Sequence, residues 1–363
     1  MYSYDEIRTV HLEITQRCQA ACPMCDRNMN GGDDNPHMTD AELSVEDCQK
    51  IFSVPFIQQL KTMYMCGNLG DPIVAKDTLE VFEYFRKHNP KMWLSMNTNA
   101  GAQKEEWWQR LANIYGRMGT VIFSVDGLRD TNHLYRQNVN WDIVERSMRA
   151  FIGAGGRARW DFLIFEHNEH QVEEAEMLAN ELGFERFTKK KSGRFISSPT
   201  SKAKEEHQAV NRKGQETQNL AKPTSEEYKN KALLKQEQIV KQYGSMLDYY
   251  NSCKIDCKVA GEEKSIFITA EGLLMPCCWT AGRMYKWWHK DYKVEQVWDF
   301  IDQAGGKKGI DVINSRLSDV INNSGLLQNI TNSWELDSLP NGKLGVCAQK
   351  CGTEFDPFGE QFI

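Results

Sequence analysis

Cys18-Gln19-Ala20-Ala21-Cys22-Pro23-Met24-Cys25, coming directly after the apolar stretch Val10-His11-Leu12-Glu13-Ile14, decides how the rest of the chain is read. Thiolates are soft ligands that favour iron–sulfur clusters, zinc or copper, and three so closely spaced converge on one centre without closing a long loop. A cube of four irons has one iron per corner. Three protein thiolates therefore leave a corner open to an outside ligand, as catalytic zinc sites keep one position open. An open corner points to chemistry rather than scaffolding. The alternative is a zinc site or three unrelated buried thiols, although zinc ribbons usually pair one C-x2-C with a second.

Working outward, the chain has 363 residues, a net charge of -6 and eleven cysteines. That length holds one domain of about 200 residues and a smaller one. The acidic balance argues against nucleic acid as a partner, which calls for a basic domain. No apolar run reaches the length of a membrane span, and Met1-Tyr2-Ser3-Tyr4-Asp5-Glu6 has neither a basic nor an apolar leader region. The expected location is cytoplasmic, with no membrane partner. In a reducing compartment, clustered thiols of odd count read as metal ligands rather than disulfides.

Apolar runs and amphipathic stretches alternate from about residue 8 to 188. Strands are expected at Thr9 to Thr15, Thr62 to Cys66, Met92 to Asn97, Thr120 to Val125, Ala158 to Phe165 and Phe184 to Thr188. Helices are expected at Ala41 to Leu60, opened by a Thr39-x-x-Glu42 capping box, and at Thr78 to His88, Lys104 to Tyr115, Trp141 to Gly153 and His170 to Leu182. Six strands separated by helices imply right-handed crossovers and a parallel sheet. The cysteine loop then follows the first strand, at the end where strand-to-helix loops build active sites in full barrels.

The C-x3-C-x2-C spacing resembles the signature of the radical S-adenosylmethionine (SAM) superfamily, with Met24 where an aromatic residue is common. The resemblance implies an α/β fold, a partial (β/α)6 TIM-like barrel over the first half of the chain. It also implies a 4Fe-4S cluster on Cys18, Cys22 and Cys25 whose free iron chelates SAM. Reductive cleavage to methionine and a 5'-deoxyadenosyl radical, and hydrogen abstraction from a substrate, follow from the same resemblance. Cys66-Gly67-Asn68-Leu69-Gly70-Asp71-Pro72 ends the second expected strand, and glycines there let the backbone approach a ligand closely. Gly70-Asp71-Pro72 stands where the family has Gly-Glu-Pro, which bonds the amino group of SAM. Asn97-Thr98-Asn99 ends the third strand with polar side chains where a ribose or adenine would be met. Ser124-Val125-Asp126-Gly127, with Arg136 twelve residues after Ser124, resembles the Ser-x-Asp-Gly...Arg pattern whose Ser and Arg contact SAM. An Arg fork suits the methionine carboxylate. Glu166 and His167, after the fifth strand, are candidates to exchange protons or hold substrate, or else cap the next helix.

From Lys189 to about Tyr250 the chain turns polar: nine Lys or Arg against two Asp or Glu lie between Arg186 and Lys213. This 189–250 region reads as a solvated connector with a helix around Tyr228 to Tyr243, or as a lid over the barrel mouth. A second cysteine set follows: Cys253, Cys257, Cys277, Cys278, Cys347 and Cys351. Ser265 to Pro276 reads as two short strands around Glu271-Gly272, a hairpin that brings Cys257 near Cys277. Helices are expected at Val294 to Ala304 and Ile310 to Asn322. Cys257-x14-Gly272-x4-Cys277 resembles the opening of SPASM and twitch domains. With Cys347 and Cys351 it implies one auxiliary 4Fe-4S cluster in a small α+β domain, 251–363, behind the barrel of 1–188. Cys278 is an alternative to Cys277, and Cys253 a spare thiol or an alternative ligand. Cys48 and Cys66 read as buried small hydrophobes, and a structural zinc site is the other reading of the set. Trp279, Trp287 and Trp288 line a substrate groove or pack in the core.

The resulting expectation is a radical SAM oxidoreductase served by an electron donor such as a flavodoxin or ferredoxin, and modifying a peptide or protein. A small-molecule dehydrogenase or cofactor-biosynthetic enzyme, and a non-enzymatic zinc-binding interaction protein, are the alternatives.

Overall fold

The computed structural model describes residues 1–195, 206–261, 263–358 and 361. β1 (Thr9–Leu12), β2 (Thr62–Met65), β3 (Trp93–Thr98), β4 (Gly119–Ser124), β5 (Ala158–Ile164) and β6 (Arg186–Lys191) lie side by side in chain order, all parallel. Helices Thr78–His88, Glu105–Tyr115, Trp141–Gly153 and Val172–Leu182 make the crossovers and cover the sheet. A parallel sheet covered this way favours apolar strands, and six of the seven residues of β5 are buried. Trp141–Gly153 shows how the sequence sets a helix. The Asn140 side chain accepts from the N–H groups of Asp142 and Ile143, and Val144, Met148 and Phe151 form its buried stripe. Phe151 then meets Phe123 of β4 and Trp108 of the preceding helix.

The sheet does not close. At the free edge of β1 stands β9 (Ser265–Ile268), parallel to it, and β10 (Leu274–Met275) returns antiparallel to β9. The order is β10-β9-β1-β2-β3-β4-β5-β6, a partial barrel extended by the expected hairpin. Its turn needs Gly272, with φ at +72°, where a Cβ would stand 2.4 Å from Ile313.

Several local expectations are corrected. The single helix from Ala41 to Leu60 is two, Val45–Ile51 and Val54–Gln59. Ser53 caps the second and Pro55 sits in its first turn, where proline is tolerated but cannot continue a preceding helix. The capping box is Ser44 with Asp47. Thr39 instead donates its N–H to the Gln16 side chain at 3.0 Å, and Glu42 accepts the Thr15 hydroxyl at 3.0 Å. β6 runs on to Lys191 because its pairing with β5 continues to Ile164. The helix expected from Ile310 begins at Leu317, since Ile310 and Val312 are tied to the hairpin through Leu274 and Gly272.

The connector holds order that its composition hides. β7 (Glu206–Val210) and β8 (Glu216–Ala221) form an antiparallel hairpin with Ala209 and Leu220 fully buried. Val210 donates its N–H to the Asn30 carbonyl at 2.9 Å, His207 Nε2 lies 3.1 Å from the Pro23 carbonyl, and Ala221 accepts from Glu166 at 3.1 Å. The hairpin thus sits on the cysteine loop and the end of β5. Part of the basic stretch, 196–205, lies outside the described residues. Helix Ala232–Tyr243 follows, one turn later than expected.

Candidate active site

The cysteine loop leaves the C-terminal end of β1 and is held by the ends of its neighbours. Gly70 is required there: a Cβ would fall 1.9 Å from the Thr15 carbonyl oxygen. Asp71 donates its N–H to the Arg17 carbonyl at 2.9 Å, tying the glycine turn to the loop's entry. The Asp71 carboxylate is turned inward. It accepts from Ile73 N–H at 3.1 Å and from both the N–H and Nδ2 of Asn99, at 2.8 and 2.7 Å. Burial raises its pKa, and the Asn99 and Ile73 N–H groups act against that rise. The Asp71 oxygens are thus engaged by Ile73 and Asn99 within the protein. Asn99 does reach the loop: its Nδ2 lies 3.6 Å from Cys18 Sγ, and its Oδ1 accepts from Gln19.

On the other side Arg136, just past the short helix Asn132–Tyr135, donates Nε to Asp126 at 2.7 Å and lays Nη1 3.8 Å from Cys22 Sγ. Asp126 is buried and also accepts from Leu163 N–H at 2.7 Å, so its direction is set by β5. Burial opposes the guanidinium charge, but Asp126 and Cys22 outweigh it and hold Arg136 protonated. Ser124 ends β4, half-buried, beside Asp161 of β5. Burial pushes all three loop thiols up, Cys25 to about 11 with Cys22 adding to the rise. Iron binding would replace these protons.

Two further titratable residues stand out for their burial. Glu13 is buried, accepts from the N–H groups of Leu69, Asn68 and Gly70, and is pushed up to about 7 by burial. A carboxylate inside the apolar run Val10 to Ile14 was the signal that could have singled it out. His167 has both ring nitrogens buried without a hydrogen-bond partner among the described residues, and burial lowers it to about 4. Glu166 is exposed.

The second cysteine set gathers around a cavity of ≈ 190 Å³, lined by Cys257, Cys277, Cys278, Cys347 and Cys351. Cys347 and Cys351, four apart on helix Gly345–Cys351, share one face. Cys277 directly follows the Pro276 that ends the hairpin, and Asp256 donates to the Cys351 carbonyl at 2.8 Å, bringing Cys257 alongside. Cys253 does not line the cavity; its thiol is 3.7 Å from the Tyr250 carbonyl. Cys48 is buried in its helix, and the Cys66 carbonyl meets His11 Nε2 at 2.5 Å. Among the described residues no three His, Cys, Asp or Glu side chains are gathered tightly enough for one metal ion. Trp288 packs against Trp287 and stays half-exposed, as does Trp279.

An open parallel α/β sheet carrying a three-thiol loop at the mouth of its first strand defines a class of partial-barrel proteins with their chemistry at the strand ends. Residues 12–179 match the family model for the radical SAM superfamily, which marks this part of the chain as a radical SAM domain. A domain of that family implies an enzyme that uses a 4Fe-4S cluster and SAM. The chain is 25% identical over 143 residues to the FeMo cofactor biosynthesis protein NifB of Methanocaldococcus jannaschii, a match covering 38% of this chain and 45% of that protein. The match thus spans less than half of that relative's length. Streptococcus suis SuiB bound to S-adenosylmethionine superposes with a TM-score of 0.54 at 14% identity, covering 96% of this chain and 76% of that one. SuiB bound to its precursor peptide SuiA gives 0.54 at 14% identity, with 98% and 76% covered. Native anSMEcpe with bound AdoMet gives 0.51 at 14% identity, with 97% and 93% covered. At these identities the likeness is one of fold. No helix among the described residues is long and apolar enough to cross a membrane.

Proposed function

We propose that Cys18, Cys22 and Cys25 hold the 4Fe-4S cluster and that the protein is an oxidoreductase that modifies a peptide or protein by hydrogen abstraction. When bound, the cluster and SAM supply an electron and a 5'-deoxyadenosyl radical that takes a hydrogen atom from the substrate. The donor set fits: three thiols on one loop, with the Asn99 amide beside Cys18 and the Arg136 guanidinium beside Cys22 as donors that suit an anionic centre. Arg136 places Nε on Asp126 and Nη1 beside Cys22 Sγ, which leaves further N–H groups of the same guanidinium for the methionine carboxylate; this is the observation that carries the reading. Asn99 and Ser124, ending adjacent strands, are the polar groups for ribose or adenine. Gly70 offers its backbone to the amino group of SAM, with Asp71 holding the turn in place.

Cys257, Cys277, Cys347 and Cys351 are proposed to hold one auxiliary 4Fe-4S cluster in a twitch-like region, 251–363, beyond a barrel of 1–188 and a connector of 189–250. Four protein thiolates leave such a cluster no open corner, so its role is to pass an electron. A flavodoxin or ferredoxin is the proposed donor and the cytoplasm the proposed location. The peptide reading is supported by the neighbour with a bound precursor peptide and by the hairpin β7–β8 beside the cysteine loop.

Anaerobic reconstitution with iron and sulfide tests this. About eight irons per chain are expected, two cubes of four, and dithionite should release 5'-deoxyadenosine from SAM in the wild type but not in Cys18→Ala. Stoichiometric zinc without iron would overturn the proposal.

A further inference from the structure

Arg283 to Val294 forms a basic and aromatic ridge on an acidic chain. It carries four Lys or Arg against one Asp or Glu, with Tyr285, Trp287, Trp288 and Tyr292 between them, whereas the whole chain has 44 against 50. The ridge is fixed to the segment that continues the cysteine loop. Lys286 pairs with Asp26, the residue after Cys25; Asn35 Nδ2 donates to the carbonyls of Asp26 at 2.9 Å and Tyr285 at 2.8 Å; and His37 Nε2 lies 2.7 Å from the His289 carbonyl. The nearby acids are engaged: Glu295 lies 3.0 Å from His289 and 3.9 Å from Arg283, and Asp291 accepts the Lys293 N–H at 2.9 Å. Lys290 and Lys293 are exposed, with no carboxylate at ion-pair distance among the described residues. Beside them Trp288 and Val294 are 49% and 62% exposed, and the Lys286 ammonium stands 5.0 Å from the Trp288 ring centroid. These four exposed residues lie outside the lining of the second cysteine cavity. Being in water, the two lysines need no buried counter-charge.

Exposed cations around an exposed indole and valine attract an acidic partner from a distance and hold it by desolvating the apolar pair. Electron-transfer encounters use small, charge-steered patches of this kind. Trp288, Lys286 and Asp26 run in contact from the surface to the residue beside Cys25. Resting on the catalytic chemistry proposed above, we infer that this ridge docks the electron donor, and that the donor is a flavodoxin-type protein, a one-electron flavin carrier with a carboxylate-rich face. Its carboxylates meet Lys290 and Lys293, and the flat apolar edge of its flavin meets Trp288, a match that an iron–sulfur carrier does not offer. One electron passes: the flavin is oxidised by one, and the centre at Cys18, Cys22 and Cys25 is reduced by one.

The test uses the reconstituted, SAM-loaded full chain. Labelled oxidised flavodoxin, which has no electron to give, is titrated by fluorescence anisotropy at about 50 and about 300 mM salt. It should bind the wild type, more weakly at the higher salt, and should bind Lys290→Glu/Lys293→Glu about tenfold more weakly. Lys87→Glu, in the last turn of helix Thr78–His88 and so at the opposite end of the barrel, should bind as the wild type does. With reduced flavodoxin, the concentration giving half-maximal deoxyadenosine release should rise about tenfold in the double variant, while release driven by dithionite stays unchanged. No flavodoxin binding, unchanged binding by the double variant, equal weakening by Lys87→Glu, or a double variant that loses dithionite-driven release as well overturns the inference. So does a ferredoxin that binds the ridge where flavodoxin does not, or self-association of the chain that the double variant abolishes. If dithionite releases deoxyadenosine while flavodoxin docking is absent, the docking face fails and the proposed chemistry stands. If dithionite releases none, the catalytic reading falls and the inference falls with it.

Discussion

The two cysteine sets are built in opposite ways. Cys18, Cys22 and Cys25 share one loop, and the sheet supplies only their surroundings, Asn99 from the end of β3 and Arg136 from beyond β4. Cys257, Cys277, Cys347 and Cys351 come from three separate stretches and meet only because β9 joins β1 and helix Gly345–Cys351 packs beside the hairpin. A local set can collect metal before the fold is complete but needs the fold for its chemistry. A dispersed set needs the fold to exist at all, so there metal binding is also folding free energy. The two are joined through Asn68, whose carbonyl lies 3.9 Å from Cys25 Sγ and whose Nδ2 donates to the Cys278 carbonyl at 2.8 Å.

The sharpest break would come from Cys347→Ala set against Cys18→Ala. Each should lower iron from about eight to about four per chain. Only the first should also lower the melting temperature strongly, by roughly 10 °C, because the cluster proposed there would tie distant segments together. Equal losses by calorimetry would erase the distinction.

A smaller effect is expected from Asp126→Asn. With side-chain exposures of 1% for Asp126 and 19% for Arg136, the pair is largely buried, and neutralising the carboxylate leaves the guanidinium without its counter-charge. The cost is about 3 kcal/mol of stability, with SAM affinity falling about tenfold by titration calorimetry. Iron at the second set should be unchanged; its loss would show the two regions to be more tightly coupled than their contacts imply.

The least effect is expected from Glu13→Gln, and it is one of pH. Burial raises the folded carboxyl from 4.5 to about 7. Between those values the unfolded chain gives up its proton while the folded one keeps it, so ∂ΔGunfold/∂pH is negative. Stability contributed by neutral Glu13 is full below about 4.5 and is lost as pH rises through about 7. Denaturant titrations should show a decline in stability across this window that is shallower in the Gln variant. Identical slopes would mean that Glu13 is ionised in the fold.

Much of the barrel was legible because its signals are periodic. Thr78–His88 and Trp141–Gly153 coincide with the expected helices, and all six barrel strands lie within a few residues of their expected places. Legibility failed where the decisive contact was remote. Ala209 and Leu220 are only two apolar side chains in a polar connector, and they make a hairpin because the cysteine loop and the end of β5 cover them. Asp71 is read from the sequence as part of a SAM-binding turn, and of the N–H groups that hold its carboxylate inward only that of Ile73 is local, the others belonging to Asn99, far along the chain. Helix Leu326–Ser333, which places Ile330 against the second cavity, was not anticipated between the expected helix and the last cysteine pair.

What the linear chain dictates is its short-range content: a thiol loop whose spacing suits one centre, a glycine where backbones nearly touch, and alternating strands and helices set by side-chain periodicity and caps. Tertiary structure alone decides which edge of β1 receives β9, which cysteines share the second cavity, and which N–H groups turn Asp71 inward. The physical reason is that periodicity and capping act within a few residues, whereas edge pairing, desolvation and charge balance depend on neighbours that only chain closure brings into contact.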